Sequence, residues 1–170
     1  GLMVHWIAPG PAAEQGPYVR DLNAAVDRFN VPRFLAQFAG TGADWLIFTI
    51  GQNTGCYASP SATFDRLAGP GHCSQRDLVL ELARGVTALG KRFICYLPAE
   101  SKWVTQLHAA LAWNPADQSE YERRYTAFIR EYSLRLGRLN SGWWYDGCYN
   151  WKAYRQAQRH WELWCDASRA

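Results

Sequence analysis

The stretch from Ser74 to Leu97, SQRDLVLELARGVTALGKRFICYL, decides the fold. Leu78, Val79, Leu82, Val86 and Leu89 recur at helical spacing, so residues 76–89 read as an amphipathic helix. Ser74 and Asp77 give it a start resembling a capping box, and Gly90 a stop. Gly90-Lys91 then opens a short turn to Phe93–Leu97, an apolar run of strand character. The same kind of run occurs at Leu2–Ile7, Trp45–Ile50 and Trp143–Tyr145. Taking Val4, Phe48, Ile94 and Trp144 as centres, the runs are spaced by 44, 46 and 50 residues.

Helical patterns fill the intervals. One follows Asn30, with Phe34, Leu35 and Phe38 inward and Gly40 after it. Tyr121–Leu136 aligns Tyr121, Tyr125, Phe128, Ile129, Tyr132 and Leu136, opened by Ser119 and Glu122 and closed by Gly137. The last, Lys152–Ala167, places Tyr154, Ala157, Trp161 and Trp164 inward. Alternation of strand and helix predicts an α/β fold with a parallel sheet and right-handed crossovers. The loops Ala8–Asn30, Gly51–Cys73 and Pro98–Gln118 all leave the carboxyl ends of strands, where α/β folds place their sites. Neither G-x-G-x-x-G nor G-x-x-x-x-G-K-[ST] follows a strand, so nucleotide-binding versions lose support. Four βα units are half of the eight in a (β/α)8 TIM barrel, so residues 1–170 read as a partial barrel forming one domain.

Composition narrows the functional classes. The net charge is +3 with Lys and Arg scattered, so no basic stripe points to nucleic acid. No apolar run is long enough to predict a membrane span. Five cysteines form no C-x-x-C pair, and no metal or cofactor is predicted. Cys56 and Cys73 bracket one loop and are expected to lie near each other, bridged if the compartment is oxidising and extracytoplasmic. Nine Trp and nine Tyr are a heavy aromatic load: most read as core, and a few at strand ends suit stacking on sugar rings.

Strand ends carry the candidate chemistry. His5-Trp6 closes the first strand, Gln52 and Asn53 follow the second, Tyr96 lies on the third with Glu100 beyond it, and Asp146 ends the fourth. Sugars offer hydroxyls to His, Gln, Asn and Tyr and an apolar face to an aromatic ring. Asp146 follows three aromatics, where a carboxylate is costly unless hydrogen-bonded or functional, although Asp before Gly147 also suits a turn or helix cap. Glu100 reads as a solvated loop carboxylate.

Together these marks resemble the α-L-fucosidases of glycoside hydrolase family 29. The resemblance lies in His5-Trp6, in Phe48-Thr49-Ile50-Gly51-Gln52-Asn53-Thr54-Gly55, in Ser74–Val79, in Gly90-Lys91-Arg92-Phe93, in Tyr96 and in Trp144-Tyr145-Asp146-Gly147. It implies a retaining glycosidase with Asp146 as nucleophile and His5 as a sugar ligand. Trp6, Gln52, Asn53 and Tyr96 are expected to contact the substrate. Where the family carries a His-His pair after the second strand, this chain has Gln52-Asn53. The family's general acid/base comes from the second half of the barrel, which implies a partner: a second half-barrel or a second copy. The alternative is a carbohydrate-binding relative of the same fold without catalysis.

Overall fold

The computed structural model of the chain describes residues 1–6, 21–102, 104–147 and 160–170. Strands β1 (Leu2–Val4), β2 (Trp45–Thr49), β3 (Arg92–Pro98) and β4 (Asn140–Asp146) form one sheet in that order, each neighbouring pair parallel. Each lies at its predicted run; Ile7, assigned to the first, is outside the described residues. The class is α/β, and the arrangement is consistent with part of a (β/α)-barrel wall.

The helices are α1 (Leu22–Asp27), α2 (Val31–Gly40), α3 (Ala62–Ala68), α4 (Leu78–Ala88), α5 (His108–Leu111), α6 (Ser119–Leu136) and α7 (Trp161–Ser168). Helices α1, α3 and α5 lie in stretches that the periodicity leaves as loops, because six, seven or four residues are too few to show a period. Asn30 caps α2 through a 2.9 Å bond from the Arg33 amide, and Asp77 caps α4 through Leu80 at 3.0 Å. Ser74 instead donates to the Arg76 carbonyl, and Leu89, expected inward, is exposed at the end of α4. The apolar face predicted for α6 is buried throughout. Glu122 is fully buried and accepts from the His160 amide, His160 Nδ1 and the Trp164 indole, joining α6 to α7. Trp164 is buried as expected, whereas Trp161 is exposed on the first turn of α7; Tyr154 and Ala157 lie outside the described residues.

Side chains alternate across the sheet. Leu2, Val4, Leu46, Phe48, Phe93, Cys95, Leu97, Trp143 and Tyr145 pack with the helices. By alternation the other face presents Met3, Ile47, Thr49, Ile94, Tyr96, Trp144 and Asp146. That assignment depends on an irregularity in β4. Phe93 pairs with Asn140, but Cys95, two residues on, pairs with Trp143, three residues on. The extra residue is a β-bulge, and the Asn140 side chain accepts from the Cys95 and Gly142 amides around it, at 3.2 and 3.4 Å. Without the shift, Asp146 would share the phase of Asn140 and face the helices.

The connection after β2 is folded onto its neighbours. Ala58 donates to the Ile50 carbonyl at 2.7 Å, Tyr57 to His72 at 2.8 Å, and Ser74 to Tyr57 at 3.0 Å. Tyr57 thus pairs in parallel with Cys73. This offset by one residue sets Cys56 and Cys73 on opposite sides of the pairing, and both are free thiols, contrary to the expected bridge. Burial raises both, Cys73 to about 12. Cys148 lies outside the described residues.

Glu131 on α6 anchors the same connection, accepting from Ser61 Oγ and the Ala62 and Thr63 amides at 2.8–3.0 Å. Burial would raise its carboxyl, but the bonds from Thr63, Ser61 and Ala62 outweigh this and hold it below its ordinary value. A depressed carboxylate stabilises above its unfolded-state value and loses that contribution as pH falls through the lowered one. Glu131→Ala should therefore cost about 1–3 kcal/mol at neutral pH, by analogy with other bonds to charged acceptors. Denaturant unfolding should show the gap to wild type narrowing as pH drops below the ordinary glutamate range.

Candidate active site

Asp146 is the last residue of β4, and Tyr96 lies two residues before the end of β3. Both belong to the face without helices, and the Tyr96 hydroxyl donates to Asp146 Oδ2. Gln52, in the turn after β2, donates from Nε2 to the Tyr96 oxygen at 3.1 Å. The orientation of the amide follows from the network. Tyr96 has one hydroxyl proton, a carboxylate can only accept, and so the glutamine must present its N–H. Gln52 Oε1 is left buried without a hydrogen-bond partner among the described residues.

His5 joins from β1. Its ring stands edge-on to Tyr96 at 5.1 Å between centroids, and Nδ1 lies 3.3 Å from Thr49 Oγ1. Thr49 gives its own proton to the Val4 carbonyl at 3.2 Å, so Nδ1 is assigned as the donor in its contact with Thr49. Adjacent strands thus bring His5, Gln52, Tyr96 and Asp146 together. Asn53 is exposed in the turn beside Gln52 and makes no hydrogen bond with this group among the described residues. Trp6 departs from expectation. It is buried against Phe29 in the helix-side core, at 6.1 Å between centroids, because it follows His5 directly and faces the other way.

Three features went unforeseen. Thr49, fully buried, sits within an apolar run, and only its polarity there signals the His5 contact. Trp144, Cα-paired with Tyr96, is 49% exposed on the site's face. Glu100, expected in solvent, is 4% exposed and packs beneath the Asp146-Gly147 turn. Asp146 Oδ1 accepts from the Gly147 amide at 2.9 Å, and the Ala99 amide donates to the Asp146 carbonyl. These bonds fix the backbone that carries the carboxylate. Among the described residues, no group of three or more His, Cys, Asp or Glu is placed to hold a metal ion. No helix there is long and apolar enough to cross a membrane.

With this geometry in place, likeness in fold becomes informative. No family model matches the chain, and no curated protein matches it. Among solved structures it superposes on an endo-fucoidan hydrolase, P5AFcnA, from glycoside hydrolase family 107, with a TM-score of 0.64. The chain shares its fold with a glycoside hydrolase. The likeness covers 99% of this chain at 16% identity, and 47% of the other, so this chain spans about half that enzyme's length.

Gly147 offers a test of the turn. Its φ is +85°, and a Cβ there would lie 2.9 Å from Glu100 Cγ, whereas Gly42, at φ +70°, has open space around it. Gly147→Ala should cost more than Gly42→Ala, with strain alone accounting for roughly 1 kcal/mol in each. Equal losses in denaturant unfolding would show that Glu100 does not occupy that space.

Proposed function

We propose that this chain forms part of the active site of a retaining glycoside hydrolase acting on a fucose-containing glycan, with Asp146 as nucleophile. The observation that carries the reading is the carboxylate of Asp146 at a strand's carboxyl end, held by Tyr96 on the face the helices leave uncovered. The likeness of the strand-end residues to α-L-fucosidases and the likeness of the fold to an enzyme named for fucoidan support the same sugar. In the reaction Asp146 attacks the anomeric carbon, the glycosidic C–O bond breaks, and the leaving oxygen takes a proton from a second carboxyl. Water then cleaves the glycosyl ester. Glu100 is poorly suited to that second role, because it lies buried under the turn. The proton donor is assigned to a further part of the barrel.

Around Asp146, His5 Nε2 and Gln52 Oε1 are the groups offered to sugar hydroxyls; Gln52 Oε1 has no partner among the described residues, and filling it would relieve a desolvation cost of about 1–3 kcal/mol. Trp144 supplies the apolar platform, with Asn53 at the rim. In a form of the protein that turns over an aryl fucoside, Asp146→Gly should abolish hydrolysis. Azide should partly restore release of the aryl alcohol by attacking the anomeric carbon in its place. Undiminished turnover in that variant would remove Asp146 from the mechanism.

Met3 and Trp144 are exposed on the same face. Further βα units of the same enzyme are the proposed cover, since closure of a barrel removes both strand edges and the open face. The 170-residue chain alone should self-associate or bind a hydrophobic dye. A dye-free monomer in sedimentation would show that the face needs no cover.

A further inference from the structure

We infer that Tyr96 is a positioning residue rather than a sugar ligand, and that Gln52 sets the direction of its hydroxyl. This rests on the reading of Asp146 as nucleophile. Tyr96 is 1% exposed, and its hydroxyl is engaged on both sides, giving its proton to Asp146 Oδ2 and accepting from Gln52 Nε2. A hydroxyl so engaged has no proton left for a substrate.

Geometry supplies the rest. Tyr96 is Cα-paired with Thr49 on one side and Trp144 on the other, so its ring is held between β2 and β4. His5 braces the ring edge-on. The Gly147 amide holds the other carboxylate oxygen, Oδ1, at 2.9 Å. Both oxygens of Asp146 are thereby fixed, one from its own turn and one from β3. An attacking carboxylate gains from such fixing because little reorientation remains in the transition state. Gln52 acts at one remove. By donating to the tyrosine oxygen it disfavours rotation of the O–H towards the glutamine and leaves Asp146 as its acceptor.

A spectroscopic experiment tests this without requiring turnover. The 170-residue chain is labelled with 13C at tyrosine Cζ, and the Tyr96 signal is identified by its loss in Tyr96→Phe. Asp146→Asn and Gln52→Leu should each move that signal, because each changes one partner of the hydroxyl. A Tyr96 signal unmoved by both overturns the relay. If Tyr96→Phe does not fold, the signal is assigned from through-bond correlations in wild type, and the other two variants decide. In a form that turns over, Tyr96→Phe should lower kcat by about tenfold or more, the loss of one bond to a charged group, with KM changed less than about twofold. A raised KM at unchanged kcat would make Tyr96 a sugar ligand and sink the proposal. The Asp146→Gly variant with azide judges the nucleophile separately, so the tyrosine signal can stand or fall without it.

Discussion

The phase of the sheet is the constraint on which the rest of this structure depends. Side chains on a strand alternate, so one face must satisfy the helices and the other is left for a site. Leu46, Phe48, Phe93, Cys95 and Leu97 serve the first purpose, and residues between them in sequence, Thr49 and Tyr96, serve the second. A polar residue on the helix side would be buried without water, and on the other face the polar residues lie beyond the apolar Ile47 and Ile94. The chemistry is therefore confined to alternate positions near the strands' carboxyl ends. There His5, Tyr96 and Asp146 are found, with Gln52 reaching in from the turn after β2.

The outer layer makes that confinement rigid. Helix α6 runs from Ser119 to Leu136 and presents an aromatic stripe, Tyr121, Tyr125, Phe128 and Tyr132, with stacked or edge-on ring contacts along it. Phe128 also meets Tyr57 and Phe64 from the connection after β2. The connection carrying Gln52 is thus packed against the longest helix and capped by its Glu131 carboxylate. An active-site loop usually trades stability for reach. Here the distal half of the loop is fixed, and only the turn at Gln52 and Asn53 stands out from it.

Much of this could be read in the sequence, for physical reasons. Runs such as Trp45–Ile50 announce strands because they are short, apolar and rich in β-branched and aromatic residues, and are bounded by turn residues. The stripe on α6 is legible because eighteen residues contain five turns. Other features left no local trace. The fate of Glu122 depends on His160 and Trp164, about forty positions away, and no window along the chain connects them. Trp6 and Trp144 are indistinguishable by composition, yet one lies in the core and the other in the open, because orientation depends on register. The two thiols of the β2 connection flank the same loop, but a one-residue offset in pairing separates them. Glu100 lies in a loop by every local sign, and only the tertiary placement of Gly147 shows that it is covered.

The bulge near Ser141 and Gly142 has a consequence for how such a chain can diverge. Substitutions change what a position carries but leave the direction it faces. Regular pairing of this segment at unchanged length would turn everything after it by half a period, sending Asp146 into the helix layer and bringing Tyr145 out. The resulting chain would keep every amino acid of its active site and the same strand propensity, and would have no active site. Loss of one residue here would instead remove the extra position and leave Asp146 opposite Pro98, so at the present length the site depends on the bulge being kept. An alignment that scores only the residues present would count such a regularised sequence as intact.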